Sequence, residues 1–217
     1  MLDRYAITII KAPLEKAAQL LDGSRITANH ITVSGFLVGM LALPAIALQS
    51  YTFGLLFISI NRIFDGIDGA LARRQGITDS GGFLDITLDF LFYSMVPFAF
   101  ALADPANNAI PAAFLIFSFM GTGSSFLAFA VMASKRGIDN PVYKNKSLYY
   151  IGGLTEGTET IACFVLFCLI PAHFALLAWC FGALCWITTF TRILAGFNTL
   201  RAAETDVERE SEKTDLG

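Results

Sequence analysis

Six continuous apolar blocks divide the chain, at residues 31–48, 53–72, 83–103, 109–133, 155–170 and 174–193. A helix of about 20 apolar residues crosses about 30 Å of hydrocarbon, so the blocks read as membrane-spanning helices, the fifth being marginal in length. The runs are continuous rather than alternating, which excludes the strands of a membrane barrel. Ahead of them Leu2, Tyr5, Ile9, Leu14, Ala17 and Leu21 recur near helical spacing, with Arg4, Lys11, Lys16 and Gln19 between and Pro13 permitting a bend. This pattern predicts an amphipathic helix over residues 1–23 lying in the cytoplasmic headgroup layer. It lacks the apolar centre and small-residue cleavage site of a signal peptide. The expected fold is therefore an all-α integral membrane protein: an interfacial helix (1–23), a six-helix domain (24–201) and a polar tail (202–217).

Charge adds the orientation. Arg4, Lys11, Lys16 and Arg25 precede the first block, Arg73 and Arg74 follow the second, and Lys135, Arg136, Lys144 and Lys146 follow the fourth. The links at 49–52, 104–108 and 171–173 hold no lysine or arginine. The positive-inside bias then places both termini and the base-rich links in the cytoplasm. Composition agrees: 55% of the 217 residues are hydrophobic and 15% charged, where soluble domains carry about a quarter. The net charge of −3 arises in the tail, whose six acids and two bases mark it as disordered; the remainder is near neutral and offers nothing to nucleic acid. Cys163, Cys168, Cys180 and Cys185 fall in the last two blocks without metal-type spacing and read as packing residues. Gly35 and Gly39, four apart in the first block, suit a close helix contact.

Chemistry concentrates in residues 65–89, DGIDGALARRQGITDSGGFLDITLD. Asp65 and Asp68 share one helical face, and so do Asp85 and Asp89. A short turn makes the two helices antiparallel neighbours, so both acidic faces can converge. A carboxylate near the bilayer centre costs about 2.5–3.5 kcal/mol even on lenient scales, so four together require positive charge. Arg62 and Arg73 would match only half of it, whereas two divalent cations would match all. Carboxylates without histidine or thiolate favour magnesium or manganese over zinc. A pair of such ions serves in-line phosphoryl displacement. Gly69 and Ala72 leave room for a ligand beside the helix backbone, Gly81 and Gly82 loosen the turn, and Arg73 offers a fork of donors to a phosphate. Asp79, in the turn, reads as a helix cap.

The segment resembles the signature of the CDP-alcohol phosphotransferase family, D-x-x-D-G-x-x-A-R followed by G-x-x-x-D-x-x-x-D. The matching residues are Asp65, Asp68, Gly69, Ala72, Arg73, Gly81, Asp85 and Asp89. The spacer between Arg73 and Gly81 is shorter than the family's usual one. The resemblance implies that Asp65, Asp68 and Asp85 hold the metals and that Asp89 helps bind one of them while acting as general base. It implies that Gly69 and Arg73 contact the CDP moiety, and that Thr78 matches a hydroxyl residue of some members. Asn29 and Thr32 look like the family's N-x-[apolar]-T patch that cradles the nucleotide, the plainer alternative for Asn29 being a helix cap. The implied reaction moves a phosphatidyl group from CDP-diacylglycerol to a small alcohol, with release of CMP. A homodimer in the bacterial inner membrane, its site facing the cytoplasm, also follows from the resemblance.

The acceptor pocket is sought among the other cytoplasmic polar groups. Lys135, Lys144, Lys146, Arg136 and Arg192 suit a phosphorylated acceptor such as glycerol phosphate or inositol phosphate. Glu156 and Glu159, where the fifth spanning helix begins, favour a neutral or cationic one such as serine or choline, or equally form a lid that pairs with Lys135 or Arg192, so the acceptor stays open. Two rival functions exist. Intramembrane acids also mark cation channels and carriers, but here they cluster at one end, and Asp104 and His173 at the other continue no file. A catalytically silent lipid-binding relative is the second, and the intact aspartates argue against it.

Overall fold

The computed structural model describes the backbone of residues 3–137 and 154–215, and the side chains of residues 12–137 and 154–202. Lys144 and Lys146 lie outside the described residues. Among the described residues the only regular elements are helices: α1 (Asp3–Leu21), α2 (Ala28–Met40), α3 (Ala42–Ala47), α4 (Tyr51–Gln75), α5 (Asp79–Ala103), α6 (Pro105–Lys135), α7 (Gly157–Leu169) and α8 (Phe174–Asp215), with a 3₁₀ turn at Pro171–His173 before α8.

The six apolar blocks become six helical segments, the first divided into α2 and α3. Pro44 accounts for the division, since it cannot donate to the carbonyl of Met40 and its ring crowds that carbonyl. Among the described residues four segments are long and apolar enough to cross a membrane: 28–47, α5, α6 and the stretch 171–202 that includes most of α8. Helix α4 has the length, at 25 residues, but carries Arg62, Asp65, Asp68, Arg73 and Arg74. Helix α7 has only 13 residues. The predicted count of six spans thus rests on four by length and apolarity. The backbone of α8 runs helical to Asp215, where the sequence predicts a disordered tail; residues such as Arg201, Ala202, Ala203 and Glu204 favour helix strongly enough to extend it.

Phenylalanine fills the core. Phe92 and Phe100 of α5, Phe164 and Phe167 of α7, and Phe174 of α8 are fully buried. At one end Phe100 stacks between Tyr51 and Phe174, with centroids 5.6 and 4.5 Å away. There Gln49 Nε2 also donates to the carbonyl of Ala103 at 2.9 Å. The three base-free links therefore meet at a single end. The outer faces of the bundle are apolar and exposed, as at Leu37, Phe117 and Phe190, which suits a lipid surround rather than water. Cys163, Cys168 and Cys185 are buried, whereas Cys180 is exposed on α8, so packing accounts for three of the four.

The opposite end is built around glycines. A Cβ on Gly35 would stand 2.5 Å from that of Phe64, and one on Gly39 would meet Asn61 and Phe92 at 2.9 Å, so α2 packs directly on α4 and α5. Helix α1 lies against α4: Leu14 covers Gly66, Ala18 is buried beside Ala70 and Leu71, and Arg74 pairs with Asp22 at 2.8 Å.

Candidate active site

Helices α4 and α5 are joined by three residues, 76–78. Gly76 makes the reversal possible, with φ of 103°, a conformation that residues bearing a Cβ rarely adopt. Thr78 then starts α5, its Oγ1 accepting from the amide of Gly81 at 3.1 Å. Asp79 follows in the first turn, where a carboxylate favours the helix dipole, so the cap expected of Asp79 is made by Thr78. The short turn leaves the two acidic faces opposed.

Three of the four aspartates converge. Asp65, Asp68 and Asp85 each present an oxygen, and these lie within 4.8 Å of one another. Asp68 is 5% exposed, and its Oδ2 is buried without a hydrogen-bond partner. An orphaned buried carboxylate oxygen is costly, and a hard cation bound by oxygen ligands would satisfy it. The donor set therefore fits a divalent metal, and the cluster can hold one.

Asp89 lies outside this triad, although both border a small cavity of about 10 Å³. Its Oδ1 accepts from Arg62 Nη2 at 2.8 Å, and Arg62 Nη1 lies 3.5 Å from Asp65 Oδ2. The hydroxyl of Tyr93 stands 3.5 Å from Asp89 Oδ2. Arg62 is held in turn by Asn61, whose Oδ1 accepts from its Nε at 2.8 Å and from its Nη2, while Asn61 Nδ2 donates to the carbonyl of Gly35 at 3.0 Å. The guanidinium also rests over the rings of Phe92 and Tyr93, at 4.8 and 5.4 Å. Arg62 is the one ion-pair partner of the four carboxylates among the described residues, leaving three formal negative charges unmatched. The seat made by Asn61 and Tyr93 escapes sequence reasoning. An arginine three residues before Asp65 inside an apolar block is nonetheless a sign that a partner must exist.

Beside the triad opens a cavity of about 510 Å³. Asn29, Thr32, Gly69, Arg73 and Thr78 all line it, and Asp68 and Asp85 form its inner wall. Asn29 is not the cap of α2. Thr27 is, with Oγ1 accepting from His30 N at 3.4 Å and its amide donating to His30 Nδ1 at 3.2 Å. Asn29 Oδ1 would lie 3.0 Å from a Cβ placed on Gly81, so that glycine keeps this corner open. Gln75, unremarked in the sequence, bridges α4 to the start of α2 by accepting from Ala28 N and donating to the carbonyl of Ile26.

The residues proposed for an acceptor are not gathered here. Lys135 ends α6, Glu156 and Glu159 form a capping box at the start of α7, and buried Arg192 donates to the carbonyl of Thr122 at 3.3 Å. None of them lines either cavity. The start of α7 is nonetheless near, since a Cβ on Gly157 would stand 3.7 Å from the Tyr93 hydroxyl.

Comparison with known proteins fits this geometry. The inner membrane protein YnjF of Escherichia coli is 57% identical over 204 residues, covering 94% of this chain and 99% of that one. The archaetidylinositol phosphate synthase of Pyrococcus horikoshii is 35% identical over 112 residues, covering 51% of this chain and 60% of its own length. In fold, the chain resembles the Mycobacterium tuberculosis phosphatidylinositol phosphate synthase PgsA1, solved with CDP-DAG bound, at a TM-score of 0.64 and 18% identity over 85% of this chain and 93% of that one. A second structure of that protein contains manganese and citrate. The CDP-alcohol phosphatidyltransferase family model matches residues 25–194, and the chain belongs to that family.

Proposed function

We propose that the protein transfers the phosphatidyl group of CDP-diacylglycerol to the hydroxyl of a small alcohol, releasing CMP, with two magnesium or manganese ions held by Asp65, Asp68, Asp85 and Asp89. One observation carries this reading: three carboxylates converge, and two of them, Asp85 and Asp68 with its orphaned oxygen, line a cavity that also holds Asn29, Thr32, Gly69, Arg73 and Thr78. In that cavity Arg73 meets the diphosphate, Gly69 admits it close to α4, and Asn29, Thr32 and Thr78 supply polar contacts to the nucleotide. The acceptor oxygen attacks the phosphorus bearing diacylglycerol, a new P–O bond forms, and the P–O bond to CMP breaks. Asp89 takes the hydroxyl proton. Divalent ions bound at the aspartates supply positive charge to the diphosphate and to the departing oxygen.

The protein is read as a multi-pass component of the bacterial inner membrane with six spans, α4 and the short α7 completing the four apolar ones. The base-rich end, and the site with it, faces the cytoplasm. A cation pathway is disfavoured because Phe92, Phe100, Phe164, Phe167 and Phe174 close the core beyond Asp89. The test is CMP release by purified protein given CDP-diacylglycerol, magnesium and a panel of labelled acceptors that includes serine, choline, glycerol phosphate and inositol phosphate. Release that depends on metal and on one acceptor is expected. No release across the panel would overturn the reading.

A further inference from the structure

The triad marks a position for one cation. The gap between Asp65 of α4 and Asp89 of α5 is spanned by a guanidinium. Arg62 Nη1 is 3.5 Å from Asp65 Oδ2 and Nη2 is 2.8 Å from Asp89 Oδ1. The same guanidinium is secured from behind by Asn61 and by the faces of Phe92 and Tyr93. Were Asp89 to turn away, Arg62 would keep the acceptor on Asn61 and the two ring faces, so the guanidinium would stay in place. We propose that Arg62 is a positioning residue that holds Asp89 off the metal triad and competes with the second divalent ion, which binds only as Asp89 exchanges Arg62 for the metal. This rests on the metal reading above. The physical reason is that a fixed positive charge touching two carboxylates both neutralises ligands and repels a dication arriving between them.

Manganese binding to the purified full-length protein, read from the free Mn²⁺ spectrum without any substrate, tests this. The wild type is expected to bind one ion tightly and a second more weakly. Arg62→Gln should tighten the second by at least about tenfold, within the range by which groups around a metal site tune affinity, and leave the first nearly unchanged. Adding Asp89→Asn to Arg62→Gln should abolish the gain. If Arg62→Gln fails to fold, shown by loss of the tight ion, Arg62→Lys decides. Its ammonium lacks the fork that spans both carboxylates, so a smaller tightening of the second ion is expected. A tight first ion with the second unchanged or weakened in the variant that folds would overturn the role of Arg62 and leave the metal reading standing. No ion bound to the wild type would overturn both.

Discussion

Asp68 is 5% exposed, and one of its oxygens meets no donor, so as an anion it weighs against the fold unless a cation is present. Its replacement should therefore have opposite effects under two conditions. In chelator, Asp68→Asn should stabilise the protein by about 1–3 kcal/mol, because the amide is uncharged and its Nδ2 can donate to the neighbouring carboxylates of Asp65 and Asp85. In manganese, the wild type should gain thermal stability and the variant little. Melting curves with and without metal check both signs, and a variant that melts lower than wild type in chelator would refute the account. Asp89 bears on turnover instead. Asn keeps the shape and an oxygen but cannot take a proton, so Asp89→Asn should retain CDP-diacylglycerol binding and lose at least about 10²-fold in turnover. Arg73→Ala should mainly raise the KM for the nucleotide lipid. Steady-state kinetics at saturating substrate separate the two, and near-normal turnover of Asp89→Asn would remove it as the base. At this scale the aspartates are legible because four acids in apolar surroundings demand an explanation. The division among them comes only with the family resemblance. It depends on which way the Arg62 side chain turns, and helical spacing alone does not give that.

At the level of elements, the site depends on how closely α2 approaches α4. Asn61 reaches the carbonyl of Gly35, and Asn61 in turn orients Arg62, so the helix contact and the site share a residue. A methyl at Gly35 would meet Phe64 at its Cβ, an atom that cannot swing away, so the helices themselves must separate. Gly35→Ala should cost about 1–3 kcal/mol, as overpacking does, and show as a lower melting temperature in detergent. An unchanged melting temperature would show that the contact yields easily. The Gly35 and Gly39 pair is legible as a close approach, though not its partners, which come from distant helices. The split at Pro44 lies within a uniformly apolar run, so hydropathy does not reveal it. The cap of α2 falls on Thr27 rather than Asn29, because both types suit an N-cap and the choice follows from where the first helical turn closes.

Across the whole molecule, the ends of the bundle are chemically distinct. Tyr51, Phe100 and Phe174 stack where the base-free links meet, while Arg73, Arg74, Lys135 and Arg136 gather at the other end. With the four native cysteines removed, single cysteines at Gln49 or Asn107 should react with an impermeant thiol reagent added outside intact cells. One at Lys135 should not, and its labelling would reverse the orientation. This polarity is fully legible because it is written in charge placement. The number of spans is less so, since α4 carries five charged side chains and α7 has only 13 residues.

That shortness reaches beyond the protein. Thirteen residues of helix rise about 20 Å, well below the roughly 30 Å of a bilayer's hydrocarbon. Helix α7 begins beside the hydroxyl of Tyr93, with Glu156 at its N-cap and Glu159 in its first turn. If α7 spans as proposed, lipid beside it would have to thin, or headgroups dip inward to meet it, at a fraction of a kcal/mol per Å of mismatch. Such a dent would sit on the side of Tyr93 and Asp89 and bring the proposed lipid-borne diphosphate closer to the aspartates without lifting its chains from the bilayer. A thick membrane would oppose the dent, making bilayer thickness itself a control on how readily the donor reaches the aspartates.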